Sequence, residues 1–355
     1  MNIVIVASHS GGHVSPAVAF AQEFKEKKPE ANITFVSTEG EVERKFIDNA
    51  FTVHFFKREK ITILSSHKIL TLFFKALALM KQLRPQLVAG FGGYLSIPFL
   101  LAARWCGIST FVHEQNASLG RANRFLVPFV DTVVLSFPSD VHTRGAHAKK
   151  IYVAGLPLRK TFKRIEKQVA RRYFGFDDKQ FILFVSGGSQ GSAMINNFIL
   201  EALRKDENVG IGVIHSTGFY DYDRVVKEYQ NIHVEKRVMP FIERIEYAMS
   251  ACDCMIARAG AGTIAEIIAL EVPSLLIPYP HARHHQLENA NFLTTHNAAV
   301  VIRESECNAH IIRKFIMEGK NNPETLQRLS RSLASMGMVG AREKLVAFCL
   351  SGIMG

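Results

Sequence analysis

The stretch Val185–Asn197, VSGGSQGSAMINN, sets three glycines among serine and glutamine side chains, between an apolar run and a helix-like run. Small residues at such a turn let the backbone approach an anion closely. The first N–H groups and the dipole of the helix that follows can then hold its charge. A related turn, SHSGGHVSP at Ser8–Pro16, opens the chain, and RAGAGTIAEI at Arg258–Ile267 repeats the design later. The chemistry these turns suit is phosphate or diphosphate binding; the alternative is a tight, capped connection. GGSQGS is neither G-x-G-x-x-G nor a Walker loop with its Lys-Ser/Thr pair, which argues against dehydrogenases and NTPases.

Other residues with chemical reach lie near these turns. Ser189 and Gln190 can donate to phosphate or sugar oxygens. His13, at the entry of the first helix, can bind a diphosphate, act as a base, or merely cap. GFGGYLSIP (Gly90–Pro98) and VHEQNASLGRANRF (Val112–Phe125) end two further strands, bringing Tyr94, Ser96, His113, Glu114, Gln115 and Asn116 to the same side. Glu114 is a second candidate base. Glu266 can accept from a ribose diol or simply complement the helix dipole, and Thr263 can cap that helix. IPYPHARHHQLENANFL (Ile277–Leu293) supplies His284, His285, Gln286 and Asn289. Its histidine spacing fits no zinc pattern, so sugar-hydroxyl recognition is the better reading and no metal is expected. Asp221 and Asp223 have the D-x-D spacing of metal-dependent transferases, but their context reads as a helix cap.

These residues need a scaffold that presents turns at strand ends. Short apolar runs alternate with helical patterns. Strands are expected at 3–7, 33–37, 53–56, 87–89, 110–113, 132–135 and 151–153. After a basic, proline-containing stretch near residue 158 they resume at 181–185, 211–215, 233–235, 254–257, 274–277 and 299–302. The tail from Asn308 reads as helical throughout. This rhythm predicts two parallel sheets with helices on both faces, and a ligand cleft where the halves meet.

The 355 residues, 48% of them hydrophobic, suffice for two domains. Five cysteines without framework spacing read as reduced thiols of a cytoplasmic protein. No apolar run is long enough to span a bilayer, and the start lacks the pattern of a signal peptide. The net charge of +11 suits anionic partners, with scattered basic residues and no nucleic-acid motif. The segment His67–Pro85 is apolar over a wide arc and rimmed by Lys68, Lys75, Lys81 and Arg84. It is either a well-buried helix or a surface for a membrane interface.

Taken together, SHSGGHVSP, GFGGYLSIP, HEQN, GLPLR, GGSQGS, RAGAGTIAE and PYPHARHHQLENA closely resemble the MurG family of bacterial glycosyltransferases over nearly the whole chain. The resemblance implies an α/β GT-B fold: two Rossmann-like, doubly wound parallel-sheet domains facing a central cleft. It implies an acceptor and membrane-association domain at 1–158, a UDP-sugar domain at 159–340, and a C-terminal helix at 341–355 packing back toward the first. The implied reaction moves N-acetylglucosamine from UDP-N-acetylglucosamine to the C4 hydroxyl of undecaprenyl-diphospho-N-acetylmuramyl-pentapeptide, with inversion and no cofactor. Carried over by position, Asn116, Arg159, Ser189, Gln190, Ile242, Ala261, Gly262, Thr263, Glu266, His285 and Gln286 resemble donor-site residues. Ser10, Gly11, Gly12 and His13, with Gly92, Gly93 and Tyr94, resemble the acceptor side. His13 and Glu114 are the candidate bases, His13 preferred. Leu64, Lys68, Leu72, Phe73 and Lys75 resemble the family's membrane patch. The implied partners are the two substrates, an anionic membrane surface and other cell-wall or division proteins, at the cytoplasmic face of the inner membrane. The readings left open are another GT-B glycolipid transferase, a UDP-N-acetylglucosamine 2-epimerase and a non-catalytic scaffold.

Overall fold

The computed structural model describes residues 1–8, 11–47, 51–57, 66–138, 147–204, 210–281 and 285–353. By its contacts the chain divides into two units, Met1–Thr161 with Gly340–Gly355, and Phe162–Val339.

The first unit holds strands β1 (Asn2–Val6), β2 (Asn32–Thr38), β3 (Thr52–Phe56), β4 (Leu87–Gly90), β5 (Ser109–Glu114), β6 (Thr132–Leu135) and β7 (Ile151–Val153). All pairs are parallel, in the order β3-β2-β1-β4-β5-β6-β7. Its helices include α1 (Gly11–Lys27), α2 (Glu41–Phe46), α3 (Ser66–Leu83), α4 (Ser96–Trp105) and α5 (Arg121–Leu126). Successive side chains of a strand point to opposite faces, and β1 shows the consequence. Ile3, Ile5 and Ala7 join one buried cluster with Val14, Phe20 and Phe24 of α1. Val4 and Val6 join another with Ala76 and Met80 of α3 and Phe99 of α4. Both faces are covered, so the strands read as continuous apolar runs.

The second unit holds β8 (Phe181–Ser186), β9 (Ile211–Ser216), β10 (Glu235–Met239), β11 (Cys254–Ala257), β12 (Ser274–Leu276) and β13 (Val300–Val301). They are again parallel, in the order β10-β9-β8-β11-β12-β13. Its helices are α6 (Lys167–Tyr173), α7 (Ala193–Leu203), α8 (Tyr222–Tyr229), α9 (Ile245–Ala251), α10 (Ala261–Leu270), α11 (His285–Thr295), α12 (Ala309–Asn321) and α13 (Pro323–Ser335). A further helix, α14 (Ala341–Phe348), belongs to the first unit and runs on into a π-helical turn, Cys349–Ile353. There Leu345 and Val346 enter the α1 core, and the Tyr152 and Phe348 rings stack 4.0 Å apart.

Two sequence expectations change. The edge strand β10 runs Glu235–Met239, not 233–235. The tail is not one helical run: Gly337 and Gly340 take positive φ of 60° and 73° and separate α13 from α14. Strand order reverses between β1 and β4 in the first unit and between β8 and β11 in the second. Open α/β sheets bind ligands beyond the carboxyl ends of the strands at such switch points, and the glycine turns follow those four strands.

Candidate functional site

In the first unit the turn after β1 runs into α1, so His13 sits in that helix's first turn, half-buried. The turn after β4 passes beneath it. Gly92 and Gly93 both adopt positive φ, 96° and 84°, which side-chain-bearing residues rarely take. A Cβ on Gly92 would lie 2.7 Å from both Cε1 and Nδ1 of His13, and one on Gly93 2.4 Å from Ser8 Oγ. Glycine here is therefore the seat of the His13 ring. Gly11 and Gly12 precede His13 at the helix start. Tyr94 is half-buried, its ring against the apolar core.

The turn after β5 completes the group. Gln115 Oε1 lies 2.9 Å from His13 Nδ1. Gln115 Nε2 donates to the carbonyls of Phe91 (3.1 Å) and His113 (3.0 Å) and approaches His113 Nδ1 at 3.2 Å. His113 stacks on Phe91, and its Nε2 donates to the Gly155 carbonyl at 3.1 Å. Burial drives the His113 pKa down to about 4, so the ring is neutral at pH 7.

Glu114 differs from His13 in what it has left to offer. It is 2% exposed. One carboxylate oxygen accepts from the Asn116 N–H (3.0 Å) and Asn116 Nδ2 (3.3 Å). The other accepts from the Gly120 N–H and Asn123 Nδ2, both at 2.8 Å. Both oxygens are committed to bracing the loop that carries Gln115 and Asn116. Asn116 is half-buried and turned toward Glu114 through that bond.

In the second unit the loop after β8 exposes Ser189 and Gln190. It packs backbone to backbone on the loop after β9: a Cβ on Gly191 would meet the Thr217 carbonyl at 2.2 Å. Ser192 caps α7, accepting from the Ile195 N–H at 3.4 Å. Helix α10 starts at Ala261, with Gly260 rather than a side chain at its N-cap. Thr263 therefore does not cap it. Ala261, Gly262 and Thr263 form its half-buried first turn, where N–H groups lack partners within the helix. A Cβ on Gly262 would meet nothing within 4 Å. Glu266 lies one turn further on, half-buried. On α11, Gln286 Oε1 accepts from the Tyr279 N–H at 2.9 Å, and His285 is half-buried beside it. Ile242 is buried beyond β10. Arg159, in the first unit, is half-buried with no ion pair among the described residues.

Several expected residues fall elsewhere. Ser10, Leu64 and His284 lie outside the described residues. Leu72 and Phe73 pack partly against the core, and Leu70 (57%) and Phe74 (60%) are the large apolar side chains exposed on the described part of α3. Asp221 occupies the N-cap position of α8 but makes no side-chain cap. Its carboxylate binds Arg224 and Asn196, and the Arg224 hydrogen bond lowers its pKa. Among the described residues no cluster of three or more His, Cys, Asp or Glu could hold a metal ion.

Sequence reasoning missed Arg258. It is buried at the end of β11, donating to the Ile277 carbonyl (3.1 Å), Glu304 (2.5 Å) and Ser192 Oγ (2.9 Å). One guanidinium thus ties the loops after β8, β11 and β12. An arginine directly after a buried strand must find such partners, which was the available signal. Arg258→Met is expected to cost about 2–4 kcal/mol, below the upper range for a broken buried pair because Glu304 is partly exposed. Urea unfolding checks this; a change under about 0.5 kcal/mol, the range of ordinary surface substitutions, would contradict it.

The chain matches the glycosyltransferase family 28 N-terminal domain over residues 3–135 and the family 28 C-terminal domain over residues 182–345. That defines its class, a two-domain α/β glycosyltransferase. It is 34% identical over 97% of its length to the UDP-N-acetylglucosamine--N-acetylmuramyl-(pentapeptide) pyrophosphoryl-undecaprenol N-acetylglucosamine transferase of Caldanaerobacter subterraneus, covering 98% of that protein. The enzyme of the same name from Halothermothrix orenii is 33% identical, with 98% of this chain and 97% of the relative covered. The chain belongs to this family of transferases. Among solved structures, MurG of Acinetobacter baumannii matches with a TM-score of 0.81 and 28% identity, over 98% of this chain and 99% of that one. A UDP-GlcNAc 2-epimerase from Neisseria meningitidis matches with a TM-score of 0.69 at 12% identity, over 99% of this chain and 100% of that one, a likeness of fold alone.

Proposed function

We infer that this chain transfers N-acetylglucosamine from UDP-N-acetylglucosamine to the C4 hydroxyl of undecaprenyl-diphospho-N-acetylmuramyl-pentapeptide. The muramyl oxygen attacks the anomeric carbon, the bond from that carbon to the diphosphate oxygen breaks, UDP leaves, and configuration inverts from α to β. The hydroxyl proton passes to His13. The observation that carries these roles is the seat of His13, at the start of α1, on Gly92 and bonded to Gln115. Glu114 serves as a brace, because its oxygens are already hydrogen-bonded. The donor diphosphate is assigned to the glycine loops of the second unit, with Ser189, Gln190, Arg159 and the first turn of α10 stabilising the leaving charge. Glu266 takes the ribose, the backbone at Ile242 the uracil, and Asn116, His285 and Gln286 the sugar. Gly11, Gly12, Gly92, Gly93 and Tyr94 take the acceptor side. The direct test is transfer of labelled sugar to a lipid-linked muramyl-pentapeptide.

The substrate's lipid requires contact with a bilayer. No helix among the described residues is long and apolar enough to cross one. Helices α3, α4 and α5 carry Lys68, Lys75, Lys81, Arg104, Arg121 and Arg124 and no acidic residue. Leu70, Phe74, Trp105, Phe125 and Phe129 stand exposed on or beside them. Apolar side chains in a basic setting suit an anionic leaflet, so we place this face at the cytoplasmic side of the inner membrane. Leu70→Asp with Phe74→Asp is expected to weaken binding to phosphatidylglycerol vesicles by about 3 kcal/mol, on the order of 100-fold, with UDP binding unchanged. Vesicle co-sedimentation reads this, and unchanged vesicle binding would remove the assignment.

A further inference from the structure

The hydrogen bonds around Gln115 fix which way its amide faces. The carbonyls of Phe91 and His113 can only accept, and both lie within bonding distance of one end of that amide. That end is therefore the NH2 group; reversing the amide would set its oxygen against two carbonyl oxygens. The third contact agrees. His113 Nε2 faces the Gly155 carbonyl, so Nε2 carries the His113 proton and Nδ1 is bare and able to accept from Gln115. With its NH2 group so placed, Gln115 presents only Oε1 to His13 Nδ1, 2.9 Å away. An acceptor there demands a proton on Nδ1.

We propose that Gln115 is a positioning residue that holds neutral His13 as the Nδ1–H tautomer, leaving the lone pair on Nε2. This rests on the reading of His13 as the group that receives the acceptor proton. Two tautomers are open to a histidine, and only one has its basic nitrogen at Nε2. A ring turning freely on the Gly92 seat would divide itself between them; a ring bonded to Gln115 does not. The order of dependence runs from Gly155 through His113 and Gln115 to His13, entirely within the first unit. Burial of His113 keeps that ring neutral and so keeps its Nδ1 an acceptor.

The test uses the full chain with isotope-labelled histidine. Long-range nitrogen–proton correlation spectra distinguish the tautomers of a neutral ring, and His13→Asn assigns the His13 signals. The expected result is a protonated Nδ1 and a bare Nε2 in the unaltered protein. In Gln115→Leu the pattern is expected to shift toward Nε2–H, and kcat to fall by at least about 10- to 100-fold, the cost known for losing a partner that orients a metal-bound histidine. The KM for the UDP-sugar is expected to stay unchanged. Gln115→Met, which keeps an unbranched side chain, repeats the test if the leucine variant does not fold. An Nε2–H tautomer in the unaltered protein overturns the proposal. So does a tautomer or a kcat that Gln115 substitution leaves unmoved. The spectra require no turnover, so failure of the transferase reading and failure of this one are separate results.

Discussion

His13→Ala is expected to lower kcat about 100- to 10,000-fold, the range attributed to a positioned general base. UDP affinity is expected to stay within about 2-fold, inside the ±0.5 kcal/mol of a substitution away from the affected site. The reason lies in how the ring is held. It stands in the first turn of α1, rests on a glycine, and spends Nδ1 on Gln115. Among the described residues Nε2 has no hydrogen-bond partner, so it is the nitrogen with a task left to do. Glu114, the other candidate, has both oxygens occupied by four N–H donors. Glu114→Gln is then a useful contrast. It keeps the shape but sets an NH2 group against N–H donors, so its effect is on loop order and stability. Single-turnover rates with UDP binding measured in parallel separate these cases. A His13→Ala enzyme within 3-fold of the unaltered rate would remove His13 from the chemistry.

Gly92→Ala is the second large effect. The added carbon would lie 2.7 Å from two atoms of the His13 ring, closer than real Cβ contacts come. The backbone there has φ of 96°, which adds strain of about 1–3 kcal/mol for a residue bearing a side chain. The ring must leave its seat, and a displacement of that size is expected to cost on the order of 100-fold in kcat. Gly107→Ala provides the control. Gly107 also has positive φ, 71°, but a Cβ there meets nothing within 4 Å. It is expected to lower stability as Gly92→Ala does and to leave kcat alone. Equal losses of kcat in the two variants would show that strain, not the seat, is responsible.

The sequence made the loops and strand ends legible because both faces of each sheet are buried. Apolar runs such as NIVIV and FILFVS then stop abruptly at small polar residues. What it hid was side-chain destination. In β10 the expected strand stopped at Glu235, just before Lys236 and Arg237, whereas the strand runs on to Met239. The charges of those two residues are absorbed by carbonyls of Tyr229, Ile232, Phe174 and Gly175, contacts that exist only once the edge strand is docked. In α3 the apolar arc is so wide that periodicity could not say which side faces out. Packing on α4 and the sheet buries the Ala76 and Met80 side and leaves Leu70 and Phe74, one turn apart, exposed. Asp221 looked like a cap because capping is local, whereas Asn196, whose amide also donates to the Thr217 carbonyl, reaches it from α7. Glu114 was the opposite case. Its partners Asn116, Gly120 and Asn123 lie within nine residues, so its bracing role was present in HEQNASLGRAN, obscured by the appeal of a carboxylate at a strand end.

The measurement that bears most directly on the account is transfer of radiolabelled N-acetylglucosamine from its UDP donor to a lipid-linked muramyl-pentapeptide, with linkage analysis of the product and UDP binding measured on the same preparation. The unaltered chain is expected to give a β-linked product, and His13→Ala to give almost none. An unaltered chain that binds UDP and forms no such product would contradict the transferase reading.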